Sequence, residues 1–203
     1  NAAISTDGSR FYGSSGLVAS GSASPGDAFY VTDDADLAFG TGDYTVEFWF
    51  NPTHLFSNFV MFDSRHPSTG WPGSSTGFSL YSTADGPVNL YTGGSLVASS
   101  GNGALAVGSW THVAAVRNSG TVKLYINGIE KASASNSSNH TEQKAVLGNG
   151  ANYATGGEGS KGYYQDWRIY KGTAKYTANF KPPTRNDFTV NNLTAEAGEL
   201  ITS

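Results

Sequence analysis

Wherever polar and apolar positions in this chain are regular, they alternate with a period of two. The clearest case is Thr121 to Ile126, where Val122, Leu124 and Ile126 fall on one side and Thr121, Lys123 and Tyr125 on the other. That period belongs to a strand with one buried face. Flanking it are Trp110 to Arg117, joined through Asn118-Ser119-Gly120, and Ile129 to Ala134, joined through Asn127-Gly128. Both turns use residues that tolerate positive φ, and Asn-Gly between alternating runs is a strong hairpin signal, so Gly108 to Ser135 is expected to form a three-stranded meander.

The same reading extends along the chain. Tyr44 to Phe50 places Tyr44, Val46, Phe48 and Phe50 toward a core and Thr45, Glu47 and Trp49 away from it. Phe59 to Phe62 is a short buried strand. Phe78 to Tyr81 and Val88 to Tyr91 pair across the turn Asp85-Gly86-Pro87, with Phe78, Leu80, Val88 and Leu90 inward and Tyr81 and Tyr91 outward. The last strand, Tyr163 to Tyr170, is expected to bury Trp167 and Ile169. Phe11-Tyr12-Gly13 and Ala28 to Val31 read as outer strands around a Ser/Gly-rich loop. Between them and Tyr44, Leu37-Ala38-Phe39 reads as one short helical turn capped by a carboxylate of the preceding Asp33-Asp34-Ala35-Asp36. A polar loop from Ala151 to Lys161 carries Tyr153 and Glu158. Residues 1–9 read as a tail or linker, 10–185 as one domain and 186–203 as a connector, which makes the chain a piece or processed form of something larger.

Composition agrees with an all-β domain. The 26 glycines and the low charged content favour turns over surface helices, and helical periodicity is almost absent. The net charge is −4 and the Lys and Arg residues are scattered, so no basic stripe marks a nucleic-acid track. No apolar run reaches the ~18 residues of a membrane span, and no charged start with an apolar core marks a signal peptide. Either such a signal has been removed, or export takes another route. The absence of cysteine excludes disulfides and thiol chemistry. Sequons at Asn136, Asn139 and Asn192 would matter only in a eukaryotic secretory host.

Trp-Thr-His-Val-Ala followed by Lys-Leu-Tyr-Ile-Asn-Gly, in the meander, resembles the concanavalin A-like lectin/glucanase superfamily in its laminin G-like branch. Gly42 to Phe50, Val146-Leu147-Gly148 and Gly162 to Tyr170 fit that branch in the same order. The resemblance implies a two-sheet antiparallel β-sandwich, a jelly roll with Greek-key connections. Residues 171–185 resemble the closing segment of such modules in tailed phages and marine viral genomes. There Tyr176, Phe180, Pro182 and Pro183 would fold back over the sandwich.

Glycoside hydrolysis requires two carboxylates flanking the bond, and the Glu-x-Asp-x-Glu run of the glucanase branch is absent here; Glu47 is the one acid on its strand. His54, His66, His112 and His140 show no zinc spacing, and no serine sits in a nucleophile elbow. His112 reads as a structural strand histidine. The resemblance implies a rim calcium, for which Gln165 and Asp166 stand at the family's ligand positions and Asp27 would supply a further carboxylate. The cluster at Asp33 to Asp36 is a second candidate for calcium.

Sugar binding calls for aromatic faces beside planar polar groups. Asp63, Arg65, His66 and Trp71 fall within eleven residues, and Tyr81, Tyr91 and Tyr153 would complete that patch. The alternative is that Asp63 pairs with Arg65 and the tyrosines form cross-strand pairs. The expectation is a non-catalytic carbohydrate-binding or adhesion module at a virion surface or outside a cell. Its partners would be a glycan or polysaccharide and, in such an assembly, other virion proteins or further copies of the chain. A structural capsid or fibre module is the rival.

Overall fold

The computed structural model describes residues 2–11, 13–19, 21, 26–31, 34–65, 76–150 and 158–184. One antiparallel sheet holds seven strands in the order β1 (Ala3–Ser5), β2 (Ser15–Val18), β13 (Lys161–Lys171), β4 (Tyr44–His54), β9 (Thr111–Asn118), β10 (Thr121–Ile126) and β11 (Ile129–Ser135). The other holds six, in the order β3 (Phe29–Val31), β12 (Ala145–Leu147), β5 (Phe59–Asp63), β6 (Phe78–Ser82), β7 (Asn89–Thr92) and β8 (Ser95–Ser99). The expected all-β, two-sheet jelly-roll sandwich is the fold.

Alternation decides what lies between the sheets. Tyr44, Val46, Phe48 and Phe50 of β4 and Val122, Leu124 and Ile126 of β10 face Phe59, Met61 and Phe62 of β5, Phe78 and Leu80 of β6 and Leu90 of β7. Aromatic stacking ties the layers: Tyr44 lies 4.9 Å from Phe78, and Phe50 lies 4.5 Å from Tyr164 within its own sheet. The two meander turns take the backbone expected of them, with φ of 49° and 76° at Ser119 and Gly120 and of 51° and 77° at Asn127 and Gly128. Asp34 caps the 3-10 turn Ala35–Leu37 by accepting the Asp36 N–H at 2.9 Å, the capping role expected of that cluster, although the turn starts two residues earlier than expected.

Several elements differ from the sequence reading. Ala3–Ser5, placed in the tail, is a strand paired with Ser15–Val18, whereas Phe11 is in no strand. Ser95–Ser99 continues the β6–β7 hairpin as an additional strand. Trp167 and Ile169 pack against the core but are only half-buried, and they reach it through a bulge in β13: Gln165 pairs with Trp49 and Arg168 with Glu47, three residues of advance against two. Asp166, at φ 58°, takes up the extra residue, and core-facing positions move from Tyr164 before it to Trp167 after it.

The largest difference concerns the outer face of the seven-stranded sheet. The alternation predicts one buried side, yet Thr45, Glu47, Trp49 and Tyr125 on the far side are also buried. Residues 172–184 run across that face as a strap. Tyr176 and Phe180 stack in parallel at 3.5 Å and pack with Ala114, Val116 and Tyr125, as the resemblance implied for this segment.

Candidate functional site

On the outer face of the six-stranded sheet, strand register brings three of the expected sugar-binding residues together, Asp63, Tyr81 and Tyr91. Asp63, Ser79 and Tyr91 lie in one row across β5, β6 and β7, and Tyr81 lies two residues along β6. Tyr81 and Tyr91 meet edge to face at 6.0 Å, and the Tyr91 hydroxyl donates to the Gly94 carbonyl at 2.6 Å, which fixes its ring. Tyr91 is buried and Tyr81 half-buried. His66, Trp71 and Tyr153 lie outside the described residues.

Asp63 and Arg65 pair with each other, the alternative that the sequence left open, and neither is exposed. Asp63 ends strand β5 and is fully buried, and Arg65 is 5% exposed. The Arg65 side chain donates from Nε and Nη2 to both Asp63 oxygens at 2.6–3.1 Å, and its backbone N–H adds a bond of 2.9 Å. Geometry of this fork-to-fork kind belongs to the stronger hydrogen-bonded ion pairs. Glu158 lies 3.9 Å from Arg65 Nη2, and its side chain keeps 22% of its surface. Burial raises the Glu158 carboxyl above its ordinary range against the pull of Arg65, with Asp63 adding to the rise.

The residues expected to hold calcium have other work. Gln165 Oε1 accepts the backbone N–H groups of Arg10 and Phe11 at 3.1 and 2.9 Å, and its Nε2 donates to the Ser14 carbonyl at 2.6 Å. Both Asp166 oxygens accept from Arg168, at 2.7 and 2.8 Å. Asp27 accepts the Ala19 N–H at 3.3 Å. Calcium takes six to eight oxygens with free lone pairs. This donor set does not fit the ion, and no group of three His, Asp or Glu suited to a metal occurs among the described residues.

Sequence reasoning missed a buried polar network beneath the strap. Glu47, 1% exposed, accepts from His112 Nε2 at 3.1 Å, from the Tyr176 hydroxyl at 2.8 Å and from Lys175 Nζ at 3.2 Å. Burial acts to raise the Glu47 carboxyl, but the bonds from His112 and Tyr176 and the charge of Lys175 outweigh it and hold the group below its ordinary value. Facing a carboxylate, the His112 Nε2 carries a proton. A Glu on the outer face of a central strand was the available signal, since a buried carboxylate demands partners.

No curated protein matches the chain. Among solved structures it is similar to domain 4 of a GH43 extracellular arabinanase from Geobacillus stearothermophilus in complex with arabinotriose. That match has 23% identity and a TM-score of 0.60, and covers 85% of this chain and 76% of that one. It is similar to the CBM40 of the Ruminococcus gnavus IT-sialidase bound to α2,3-sialyllactose, with 14% identity and a TM-score of 0.56 over 74% and 92% of the two chains. A NanB sialidase of Streptococcus pneumoniae matches at 19% identity and a TM-score of 0.57 over 75% of this chain, which spans only 26% of that enzyme. Identities this low establish a shared fold. The family model for the concanavalin A-like lectin/glucanases matches residues 23–176, well over half of the chain. This protein belongs to the concanavalin A-like lectin/glucanases superfamily.

Proposed function

We propose that this protein is a non-catalytic carbohydrate-binding module, displayed at a virion surface or outside a cell, that holds a glycan on the outer face of its six-stranded sheet. The observation that carries the reading is the Tyr81–Tyr91 pair beside the Arg65–Glu158 contact. Tyr81 offers a ring braced by Tyr91, and Glu158 offers a partly exposed carboxyl to sugar hydroxyls, the aromatic-plus-planar-polar combination that saccharides need. His66, Trp71 and Tyr153 remain part of the proposed patch. Membership of the superfamily supports the reading, as do the saccharides bound by the arabinanase domain and the CBM40.

Two carboxylates on Arg65 invite comparison with a glycosidase pair, but their chemistry argues for binding. Asp63 is fully buried, with both oxygens taken by Arg65, so it cannot meet a glycosidic bond. Glu47 is equally enclosed by three donors. A glycan-array screen of the whole chain, run with calcium and with chelator beside Tyr81→Ala and Trp71→Ala, tests the proposal. Binding that falls in either variant supports it. Failure to bind any glycan under both conditions would move the assignment to a structural virion module.

A further inference from the structure

A second recess lies on the opposite sheet, where the strap ends. It encloses about 410 Å³ and is lined by Arg10, Trp49, Trp110, Asn127, Lys181 and Pro182, among others. The Arg10 guanidinium carbon stands 3.6 Å above the Trp49 ring and 4.9 Å from the ring of Phe11. Gln165 clamps the Arg10 and Phe11 backbone, so the amide expected to bind calcium instead positions a cation. Asn127 is held by its Oδ1, which accepts the His112 N–H at 2.9 Å and leaves the amide nitrogen as a donor. The Trp49 indole N–H is buried without a partner among the described residues.

Charge sets this recess apart. Arg10 and Lys181 are both exposed and no acid lines the walls among the described residues, in a chain whose net charge is −4. Among the described residues neither cation has a carboxylate partner. A guanidinium stacked on an indole keeps its edge free for a bidentate anion. Two cations suffice for one carboxylate and fall far short of a phosphate track.

We propose that this recess binds a carboxylated saccharide, a uronic-acid unit of an acidic glycan. Its carboxylate sits between the Arg10 guanidinium and the Lys181 ammonium, the C–H face of its ring lies against Trp110, and a ring hydroxyl accepts from the Asn127 amide. The site is separate from the patch at Tyr81, so either can fail without the other.

Titration of the whole chain with trigalacturonate and with its neutral counterpart galactotriose, followed by calorimetry and tryptophan fluorescence, tests the assignment. Trigalacturonate should bind about tenfold or more tightly than galactotriose, a preference that weakens at high salt. Lys181→Glu, at an exposed position, should erase the preference, and Trp110→Ala should weaken binding of both sugars, while Lys131→Glu, exposed and outside the lining, leaves the preference intact. Absence of trigalacturonate binding or equal affinity for the two sugars would overturn the proposal. So would binding indifferent to both Lys181→Glu and Trp110→Ala, or displacement by sodium acetate at equal concentration, which would mark a bare anion site.

Discussion

Gly128 and Phe180 are in backbone contact: the Phe180 N–H donates to the Gly128 carbonyl at 2.8 Å, and a Cβ on Gly128 would collide with the Phe180 carbonyl. The meander turn is therefore also the docking point of the strap. Gly120 offers a built-in comparison, since its φ of 76° matches the 77° of Gly128 but nothing lies within 4 Å of its absent side chain. A left-handed backbone costs a non-glycine residue about 1–2 kcal/mol. Gly120→Ala should lose about that much in urea unfolding, and Gly128→Ala clearly more, because the strap must also move. Equal losses would show that the contact contributes nothing.

Beneath the strap, Tyr176 bonds to a charged acceptor that is itself buried. Hydrogen bonds to charged groups contribute about 1.5–3 kcal/mol, so Tyr176→Phe should destabilise the chain by an amount in that range. Glu47→Gln removes the charge that Lys175 and His112 face. A double-mutant cycle between the two should return a coupling of about 1 kcal/mol or more, as expected for side chains in one network. Additive losses would mean that Tyr176 acts only through its ring stacked on Phe180.

What the sequence made legible was what alternation and turn chemistry control. The core faces of β4 and β10, the two positive-φ turns and the β6–β7 hairpin all follow from local pattern. β1 is too short to show a period, and the bulge at Asp166 inverts one that was otherwise readable. Burial of Glu47 was hidden because its cause lies about 130 residues away in the strap, as the Tyr176–Glu47 bond shows, and Trp49 is covered by Arg10 and Phe11 from near the start of the chain. At the proposed sugar patch, outward tyrosines were legible from parity, whereas the burial of Asp63 and Arg65 depends on how their side chains fold onto one another.

The Asp63–Arg65 pair should behave as structure. Breaking a buried pair by removing one partner costs about 3–5 kcal/mol, whereas replacing both with apolar groups is often far milder. Asp63→Leu alone should therefore be strongly destabilising, and the double variant Asp63→Leu/Arg65→Met should recover much of the loss in denaturant unfolding. A single variant with near-native stability would count against the burial of this pair.

Acid should weaken the protein in two stages. His140 is held to about 4, below its ordinary 6.5, first by burial and then by the charge of Arg117, against the opposing bond with the Thr76 carbonyl; Tyr44 and Phe78 flank its ring. Because the unfolded chain takes up this proton more readily, the neutral histidine's contribution is complete above pH 6.5 and is lost as pH falls toward 4. The loss cannot exceed about 1.4 kcal/mol per pH unit. Glu47, depressed below 4.5, contributes above that value and is lost on further acidification. Glu158, raised by burial, works in the opposite sense and favours the native state as it protonates. Unfolding free energies measured from pH 8 to pH 3 should thus decline from about 6.5 downward and continue below 4.5. His140→Gln keeps a donor for Thr76 without a titrating ring, and should flatten the upper stage while leaving the lower. A wild-type profile that is level between 6.5 and 4.5 would remove His140 from the account.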